Sequence, residues 1–588
     1  MADGYYLVTT GDIYNKYNDN HLLFLGPWCL LGNNKDYLAK AKYSLLASPF
    51  KPATKIKEAA DYCWTLYEFL MPQIKKEMNK LHNVNYPERY WRILLGPWVY
   101  HFIGIFYDRY RRIEVALNRY PDFITDILQV EQCKPVTANT IDFINQASED
   151  NYYNLQLFSI ICRHLCFGGC RELKLDLPEK HLTSYVQQGI TSRLWSWFEN
   201  EIYSDSRPIL LSEMYHITPI DKITMRLDKR FKFVGFKSFK LPDIEDIKSI
   251  NYSLRNNLKF FHIGDDFSSL LANVLPLAIP LCYIEQFSVF TEKANNDMHS
   301  GIKFFGSAVG WYFNENLKYY TAEAVLNGAG LLDFQHGGAY GSSWVVPPED
   351  LSLEKNVFFT WGWDWGGKGN TIPLPNPHLS RLKNRYHTGN KKSILMVGTA
   401  MPPYHYRFDA GIKTDDMFSY LDNKSKFITV LKDDIKQQLE YRPYKDYGWN
   451  EISYIKTIYS GVSIASEGRL IDYMKKARIV VIDHAQTGFL EALTLNVPTV
   501  LYWDHDIYVM RPEAEPYFQQ LRDVGILYKD PENAARKVNE IYDDPMKWWQ
   551  SRAVQEAKNN FCQKFALSSN NWKKDWAEVL ANIVEQNG

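Results

Sequence analysis

Short apolar runs alternate with helical patterns through the C-terminal third of the chain. The runs SILMVGTA, RIVVIDH and VPTVLYW are almost continuously apolar, which predicts strands buried on both faces. Between and after them, segments such as TGFLEALTLN and PENAARKVNEIYDD carry apolar residues at helical spacing. This alternation predicts an α/β domain with a parallel, doubly wound sheet.

The N-terminal part of the chain has a more mixed pattern. Residues 5–9 and 22–25 are short apolar runs typical of strands, whereas 55–82 and 87–118 have the spacing of long amphipathic helices. A mainly helical stretch is predicted as far as about residue 225. Beyond it, three further runs predict strands: RFKFVGF, KFFHIGDDF and IPLCYIEQF.

The length of the chain, 588 residues, exceeds what one ordinary core accommodates. Residues 370–392 are proline-rich and then basic, and they are the best linker candidate. We therefore predict an N-terminal domain over 1–385, with a helical insertion at about 35–225. A C-terminal domain over 386–545 is predicted to be followed by helices, 546–588, that pack back across the domains.

The tetrapeptide Leu-Gly-Pro-Trp occurs at residues 25–28 and again at 95–98. The first copy follows a strand-like run, so Gly26 to Trp28 is predicted to turn the chain at a strand end. The second lies in a helical pattern, so Pro97 is predicted to end, kink or restart a helix. Because the flanking sequences differ, they do not indicate an internal duplication.

The composition of the chain is informative mainly through the classes of protein that it excludes. The net charge of −1 gives no electrostatic footprint for nucleic acid. Aromatic residues reach 15%, which fits sugar-stacking surfaces and large aromatic cores equally well. The first residues lack the pattern of a signal peptide, and the apolar run 93–107 is too short and interrupted to span a bilayer. A cytoplasmic protein is expected.

Eight scattered cysteines are typical of reduced thiols. Cys162, Cys166 and Cys170, with His164 between them, raise the question of a zinc site. On one straight helix their sulfur atoms spread over about 12 Å, whereas zinc holds each ligand at about 2.3 Å. We therefore expect buried, small apolar side chains and no bound metal.

The polar turn after RIVVIDH is the strongest candidate site, because ligands of parallel sheets bind beyond the carboxyl ends of strands. Backbone N–H groups at Thr487 and Gly488 can hold a phosphate, and His484 can donate to a phosphate oxygen. Glu491, one turn further on, can accept hydrogen bonds from ribose hydroxyls. In the structural alternative, Thr487 caps the helix, Glu491 complements its dipole and His484 is a solvated turn residue.

A second candidate is the loop in LLDFQHGGAYG. Gln335 and His336 follow an apolar strand, and Gly337 and Gly338 allow the backbone to approach a ligand closely. An adjacent histidine can act as an acid, a base or a stabiliser of a leaving group. The alternative is a tight loop with a capping histidine.

Together these segments resemble known transferases. The C-terminal half, with SILMVGTA, YRPYKDYGW and ARIVVIDHAQTGFLEALTLNVPTVLYWD, is similar to the nucleotide-sugar domain of GT-B glycosyltransferases. The whole chain resembles a family of surface-carbohydrate transferases first noted in spirochaete lipopolysaccharide O-antigen loci. That resemblance is carried by LVTT, LFLGPWC, YWRILLGPW, QHGGAYG, WGW and TGFLEAL.

The resemblance implies a GT-B-like α/β fold, with two Rossmann-like domains facing a cleft. The acceptor would then lie on 1–385 and the nucleotide sugar on 386–545. Arg442 would clamp a phosphate, since a guanidinium matches its oxygens bidentately. No metal is implied, and IGDDFSS lacks the Asp-x-Asp signature of GT-A enzymes. The implied donor-binding residues are Thr399, Arg442, His484, Thr487, Gly488 and Glu491.

Catalytic roles are implied less specifically. His336, Asp265 and Asp266 are the candidates, with Glu323 as a further possible base, and inverting and retaining routes both stay open. The residues expected at the cleft or the acceptor are Gly26, Trp28, Arg92, Gln335, Gly337 and Gly338. The tryptophans of FFTWGWDWGGKGN are expected either to stack on sugars or to pack a domain junction.

The expected function is transfer of a sugar from a CMP-, UDP- or GDP-activated donor to a bacterial surface glycan such as O-antigen or capsule, without a cofactor. The alternatives are a polyol-phosphate transferase of the CDP-glycerol type and a non-catalytic glycan-binding protein on the same fold. The Trp- and Lys-containing segments MKWWQSR and NNWKKDWAEVL favour packing against the N-terminal domain. Peripheral contact with the inner face of the cytoplasmic membrane is the other option.

Overall fold

A computed structural model describes residues 4–12, 21–31, 42–165, 168–175, 207–239, 250–365, 370–386 and 391–586. The chain divides into two compact units. Unit 1 consists of Met1–Glu213, Gly235–Gly330 and Pro402–Phe408. Unit 2 consists of Met214–Val234, Leu331–Met401 and Asp409–Gly588. Whether the predicted domain bounds correspond to functional halves stays a prediction.

The strands of unit 1 form small parallel groups. Strands β1 (Tyr5–Val8), β2 (His21–Phe24) and β3 (Tyr43–Leu45) pair side by side. Five more strands lie wholly or mostly in unit 1, and only Val234 of β7 belongs to unit 2. They are β4 (Thr125–Leu128), β5 (Cys170–Leu173), β6 (Ile209–Ser212), β7 (Val234–Phe236) and β8 (Phe304–Ser307). Among these, β4 pairs with β5 and β6 pairs with β8, both in parallel.

The helices of unit 1 include the two longest in the described chain, and both carry buried apolar faces. Their bounds are Thr54–His82, Glu88–Leu94, Gly96–Arg119, Thr140–Glu149, Asn151–His164, Tyr252–Asn256, Asp266–Ala278, Phe287–Asn296, Gly310–Phe313 and Glu315–Leu326. Short 3₁₀ helices cover Pro27–Leu30, Val130–Gln132 and Leu281–Tyr283.

Both Leu-Gly-Pro-Trp copies behave as predicted. After β2, Gly26 leads into a 3₁₀ helix, and a Cβ at Gly26 would lie 2.0 Å from the Trp28 ring. The predicted helix 87–118 is two helices interrupted at Leu95, and Pro97 lies in the first turn of the second, where its missing N–H costs nothing. The interpretation that Pro97 restarts a helix is confirmed.

Three sequence expectations in unit 1 are wrong. KFFHIGDDF is not a strand, because Asp265 caps a helix that begins at Asp266. IPLCYIEQF is not a strand either, and its centre is the 3₁₀ helix after Pro280. Cys162 lies on a helix that ends at His164, whereas Cys170 opens β5, so the cysteines do not share one helix. Cys166 lies outside the described residues.

Unit 2 contains β9 (Gly330–Phe334), β10 (Val357–Thr360) and β11 (Thr371–Pro373), which pair in parallel in that order. The first residue of β9, Gly330, is assigned to unit 1. A second sheet of six parallel strands follows: β12 (Ile394–Val397), β13 (Leu439–Arg442), β14 (Ser463–Ile464), β15 (Ile479–Ile482), β16 (Thr499–Tyr502) and β17 (Leu527–Tyr528). Its order is β14-β13-β12-β15-β16-β17. Successive strands are therefore added on one side of β12 as far as β14 and on its other side from β15 onward, so the strand order reverses between β12 and β15.

The α-helices of unit 2 are Pro219–Leu227, Pro347–Leu353, Pro377–Leu382, Met417–Val430, Asp433–Lys436, Glu451–Ile458, Leu470–Met474, Thr487–Leu495, Glu515–Asp523, Pro531–Ile541, Pro545–Trp549, Arg552–Phe565 and Trp572–Gln586. Two 3₁₀ helices cover Lys229–Phe231 and Thr414–Asp416. The predicted linker 370–392 contains β11 and the helix Pro377–Leu382, whose Leu379 and Leu382 are buried. Most of it is therefore ordered structure packed within unit 2.

The six-stranded sheet is the core of unit 2. Every residue of β12, β15 and β16 is buried, as expected for central strands covered on both faces. Their side chains pack with Phe427 and Val538 of neighbouring helices. The predicted α/β class, with a parallel sheet and a helical N-terminal half, is confirmed. None of the helices within the described residues is long and apolar enough to cross a bilayer.

Candidate functional site

The carboxyl edge of the six-stranded sheet is where the candidate residues of unit 2 meet. β12 ends at Val397 and is followed by Gly398 and Thr399, while β15 ends at Ile482 and is followed by the turn 483–486. Because β12 and β15 are paired in parallel, the two segments leave the sheet at the same edge. The strand order reverses between them, which opens the crevice where ligands of such sheets bind.

The helix Thr487–Leu495 begins at this crevice without a side-chain cap. Its N-cap is Gln486, whose backbone is extended and whose side chain accepts no hydrogen bond from the first turn. The structural alternative, in which Thr487 caps the helix, is therefore wrong. An N-terminus without such a cap presents backbone N–H groups and the positive end of the helix dipole, the ordinary requirements of a phosphate site.

The glycine loop after β9 packs directly on this helix start. The backbone N–H of Gly338 donates to the Thr487 hydroxyl oxygen at 3.1 Å. A Cβ at Gly338 would lie 3.0 Å from the backbone N and Cα of Thr487 and 3.0 Å from Leu490. Only a glycine lets the two backbones come this close without displacement.

Gln335 holds the glycine loop in shape. Its carboxamide oxygen accepts from the Trp361 backbone N–H and from the Trp363 indole N–H, both at 2.8 Å. Its amide nitrogen donates to the Gly337 carbonyl at 2.8 Å. Gln335 and Trp363 are buried, so Gln335 orders the loop rather than reaching a ligand.

His336 is partly exposed on the same loop. The Tyr340 hydroxyl lies 3.2 Å from its Nδ1, and the Tyr215 ring meets its ring edge to face at 6.4 Å. An imidazole held between two phenols, beside the helix start, can donate to or accept from a bound group.

Glu491, predicted as a ribose contact, has a partner that the sequence did not suggest. Its Oε1 lies 2.8 Å from His378 Nε2, and both side chains are partly exposed. The His378 ring packs on His216 with 4.6 Å between centroids. His216 in turn lies 3.1 Å from the Asn376 side-chain amide.

His216 has the left-handed backbone conformation, with φ of 69°. Burial, followed by the neighbouring His378, lowers its pKa from 6.5 to about 3, so the ring is neutral at physiological pH. Non-glycine residues with positive φ are uncommon and cluster at functional sites. Tyr215, beside it, is 42% exposed, and burial together with the Glu491 charge raises its pKa.

His484 is held by a buried ionic network beneath the crevice. Its Nδ1 lies 3.0 Å from the Asp483 carboxylate, which also receives the Lys424 ammonium group and, at 2.6 Å, the Tyr420 hydroxyl. Burial alone would raise the pKa of Asp483, but Lys424 and then His484 hold it below its ordinary value. The Thr399 backbone N–H donates to the same Tyr420 hydroxyl at 2.8 Å. One network thus links the segments that follow β12 and β15.

Arg442 is less available than the sequence suggests. Its guanidinium donates to the backbone carbonyls of Ala465 at 2.5 Å, Glu467 at 2.9 Å and Gly468 at 2.7 Å. These bonds fix the loop after β14. They use three of the five guanidinium N–H groups, and the predicted role of Arg442 in phosphate binding stays a prediction.

The remaining predicted residues belong to unit 1. Asp265 caps the helix that begins at Asp266 and accepts the Tyr62 hydroxyl at 2.9 Å. Asp266 accepts from Tyr110 at 2.6 Å and lies 3.0 Å from His164. Hydrogen bonding by Tyr110 lowers the pKa of Asp266, which favours the charged form but weakens it as a base.

Arg92, Trp28 and Glu323 are engaged within unit 1. Arg92 forms ion pairs with Glu68 and Glu88. The buried Trp28 donates its indole N–H to the Thr9 carbonyl at 2.9 Å, so its ring packs in the core. Glu323 is buried, which raises its pKa, and accepts the Tyr90 hydroxyl at 2.8 Å.

The sequence reasoning missed Tyr215, His216, His378 and Lys424. His378 fell in the predicted linker, and His216 in the stretch predicted as helical. One signal was available: Thr218, Pro219 and Asp221 form a capping box with proline in the first turn, which marks a helix start and leaves His216 in a loop. No comparable signal identifies His378.

The fold and this arrangement define an α/β protein whose glycine loop and helix N-terminus meet at the carboxyl edge of a parallel sheet. Within the described residues, no group of three or more His, Cys, Asp or Glu side chains is arranged to hold a metal. The chain belongs to the LIC12162 family of transferases, which it matches over residues 5–580. It is therefore a transferase, and the family expected from its motifs is confirmed.

Other comparisons are distant. No curated protein matches the chain. The S. aureus MnaA–UDP structure has a TM-score of 0.36 at 10% identity, covering 63% of this chain and 94% of that one. A trehalose 6-phosphate synthase from Burkholderia multivorans has a TM-score of 0.36 at 9% identity, covering 65% of this chain and 97% of that one. A mutant O-GlcNAc transferase from Thermobaculum terrenum has a TM-score of 0.30 at 10% identity, covering 91% of this chain and 96% of that one. With TM-scores below 0.5, the fold assignment rests on the sheets described above.

Proposed function

We propose that this transferase is a GT-B-type glycosyltransferase that moves a sugar from a nucleotide-activated donor onto a bacterial surface glycan, such as O-antigen or capsule. The observation that carries the proposal is the contact between Gly338 and Thr487. It brings the glycine loop, a histidine and a helix N-terminus without a side-chain cap together at the crevice of a parallel sheet. That combination suits a phosphorylated leaving group.

The phosphate would lie against the first turn of the helix Thr487–Leu495. Thr487 accepts the Gly338 N–H through a lone pair, so its own hydroxyl hydrogen is available to donate to a phosphate oxygen. Gly488 adds a backbone N–H with little steric hindrance, since a Cβ there would only touch Leu470 at 3.7 Å. Both residues are partly exposed.

The ribose would lie one turn further along the same helix. Glu491 is four residues after Thr487 and therefore on the same face. His378 engages Oε1 of Glu491 and so orients the carboxylate, while Oε2 would accept from ribose hydroxyls. This geometry is compatible with CMP-, UDP- and GDP-sugars alike.

His336 is the side chain best placed to assist the reaction. As the bond between the sugar C1 and the donor phosphate oxygen breaks, negative charge develops on that oxygen, and His336 would donate a hydrogen bond to it. The acceptor hydroxyl must lose a proton as its oxygen bonds to C1. Asp265 and Asp266 stay the candidates for taking up that proton, although each already accepts hydrogen bonds within unit 1. In this scheme His336 donates to the leaving oxygen and does not take up the proton of the acceptor.

The location proposed for the reaction is the cytoplasmic side of the membrane, where nucleotide sugars are made and lipid-linked acceptors are presented. Neither a metal nor another cofactor is part of the proposal. Charge on the leaving phosphate would instead be stabilised by backbone N–H groups, Thr487 and His336.

The test is a thermal-shift and calorimetry panel with CMP, CDP, UDP and GDP. One nucleotide should stabilise the protein, because a ligand bound only to the folded state raises its melting temperature. Thr487→Val should weaken that binding about tenfold by removing the hydroxyl, whereas Thr487→Ser should retain it. Stabilisation by none of the nucleotides would contradict the proposal and favour a non-catalytic glycan-binding protein.

Product analysis separates the enzymatic alternatives. Sugar transfer from UDP- or GDP-donors releases a nucleoside diphosphate, and transfer from a CMP-sugar releases CMP and a glycosylated acceptor. A polyol-phosphate transferase would release CMP from CDP-glycerol and add phosphorus to the acceptor. Phosphorus in the product would therefore overturn glycosyl transfer while preserving the nucleotide site.

A further inference from the structure

The helix Pro219–Leu227 of unit 2 carries its apolar residues on the outside. Ile220 is 72% exposed, Ile223 37% and Leu227 79%. Their spacing of three and four residues places them along one stripe of the helix. Isolated exposed apolar residues need no explanation, but a continuous stripe of large ones marks an interaction surface.

The opposite face attaches this helix to unit 2. Asp221 and Met225, four residues apart, are buried. Asp221 closes the capping box with Thr218 and forms an ion pair with Arg381 at 2.7 Å. The helix is therefore anchored through its other side, and the apolar stripe contributes little to holding it in place.

Basic side chains surround the stripe. Residues 219–232 contain five basic and two acidic residues. Both acids are already paired, Asp221 with Arg381 and Asp228 with Arg230 at 2.6 Å. Lys229 and Lys232 are exposed just beyond the helix, so the surface carries an excess of positive charge.

The C-terminal helix Trp572–Gln586 adds to this surface. Lys573 donates to the Thr224 hydroxyl at 2.5 Å, beside the apolar stripe, and lies 3.7 Å from Asp221. The side chain of Lys574 is 60% exposed and lies 3.7 Å from the equally exposed carboxylate of Glu578. By contrast, Trp549, Trp572 and Trp576 are buried. Three of the four tryptophans in these C-terminal segments are thus buried, while Lys573 and Lys574, which follow Trp572, join the basic surface.

We propose that residues 219–232 together with Lys573 and Lys574, the basic–apolar surface, bind the anionic face of a lipid bilayer. Exposed Ile and Leu side chains can enter the headgroup region while the surrounding lysines contact acidic headgroups. A second copy of this positively charged surface would be repelled by the like charge, and water alone would leave the apolar stripe exposed. An anionic bilayer matches both the charge and the apolar stripe. The surface shares no residue with the proposed nucleotide site, so the proposal is independent of the proposed glycosyl transfer.

The experiment is sedimentation of the full chain with vesicles of phosphatidylcholine, alone or with roughly one third phosphatidylglycerol. Binding is expected only with the anionic vesicles and should fall as salt is raised, since screening shortens the reach of the lysines. Ile220→Ser combined with Leu227→Ser should reduce the partition coefficient about tenfold, as should Lys229→Glu combined with Lys232→Glu.

Matched controls use exposed residues of unit 2 outside this surface. Phe418→Ser removes an apolar side chain that is 43% exposed, and Lys529→Glu reverses an exposed lysine. Both should bind vesicles like the unmodified protein. A thermal melt of each variant checks that it is folded, which surface substitutions should preserve.

Equal vesicle binding by the unmodified protein and both double variants would overturn the proposal. So would a change in oligomeric state on Ile220→Ser with Leu227→Ser without a change in vesicle binding, because the stripe would then contact a second copy. Vesicle binding needs no nucleotide, so its failure leaves the nucleotide panel unaffected. Failure of the panel likewise leaves vesicle binding unaffected.

Discussion

The backbone N–H of Gly338 donates to the side-chain hydroxyl of Thr487 at 3.1 Å, across 149 residues of sequence. The two residues come from the two motifs that the sequence predicts to carry chemistry, QHGG and TGFLEAL. The sequence interpretation placed these motifs on opposite sides of a reaction, one toward the acceptor and one toward the donor. In the structure both belong to unit 2, and one contact joins them.

Gly338→Ala tests the close approach of the two motifs. The added Cβ would lie 3.0 Å from the Thr487 backbone, so the loop or the helix start must move. We expect a destabilisation of about 1–3 kcal/mol and loss of most nucleotide binding. The measurement is a thermal melt with and without nucleotide.

Gly337→Ala is the matched control for that substitution. A Cβ at Gly337 meets only the Tyr340 ring, at 3.5 Å, an ordinary van der Waals contact. It should leave stability and binding nearly unchanged. If both alanine variants behaved alike, the Gly338–Thr487 approach would not be what shapes the site.

Glu491→Gln tests the ribose contact. Replacing the carboxylate weakens the hydrogen bonds from ribose hydroxyls, and we expect affinity for the preferred nucleotide to fall about tenfold. Stability should change by less than about 1 kcal/mol, because the pair with His378 is partly exposed. Titration calorimetry checks this, with Glu556→Gln as a control at an exposed ion pair. Unchanged affinity would remove Glu491 from the site.

His216→Asn tests the neutral, left-handed histidine. The pKa of His216 is about 3 in the folded protein and 6.5 as its ordinary value, so the unfolded chain takes up the proton first as pH falls. Its contribution to stability is present above pH 6.5 and declines below it. Asparagine tolerates positive φ and does not titrate.

The measurement for that variant is the urea midpoint at pH 7 and pH 5. The unmodified protein should lose more stability over this interval than His216→Asn, by about 1 kcal/mol. An equal loss in both proteins would show that His216 titrates normally and is not held neutral by its surroundings.

Glu451→Gln tests the buried network under the crevice. Lys424 lies 3.4 Å from Glu451 and also pairs with Asp483, and burial chiefly raises the pKa of Glu451. The contribution of Glu451 to the free energy of unfolding is therefore fully present below the ordinary carboxyl pKa of 4.5. It is lost as the pH rises through the higher pKa that Glu451 has in the folded protein. The urea midpoint of Glu451→Gln relative to the unmodified protein should rise between pH 4.5 and pH 7. A constant difference would argue against a raised pKa.

Much of unit 2 is predictable from the sequence because its signals are local and strong. The runs that became β12, β15 and β16 are continuously apolar, and each is followed by a helical pattern. Thr487 and Gly488 were predicted at a helix start from the strand that precedes them. Unit 1 is harder, because Asp265 and Pro280 break apolar runs that otherwise have strand-like composition.

The contacts of the site are not predictable, because they depend on packing between distant segments. Nothing in the sequence around His378 or Glu491 indicates that they are partners, 113 residues apart. Arg442 shows the converse. A guanidinium that follows a strand can donate to a phosphate or to backbone carbonyls, and here Arg442 donates to three carbonyls.

Hydrogen–deuterium exchange of the unmodified protein, with and without the nucleotide selected by the panel, tests the central claim most directly. If the glycine loop and the helix start form one phosphate site, peptides covering 335–341 and 486–491 should gain protection together. Gly338→Ala should abolish protection in both. Protection of only one segment, or of neither while the nucleotide binds elsewhere, would contradict the account.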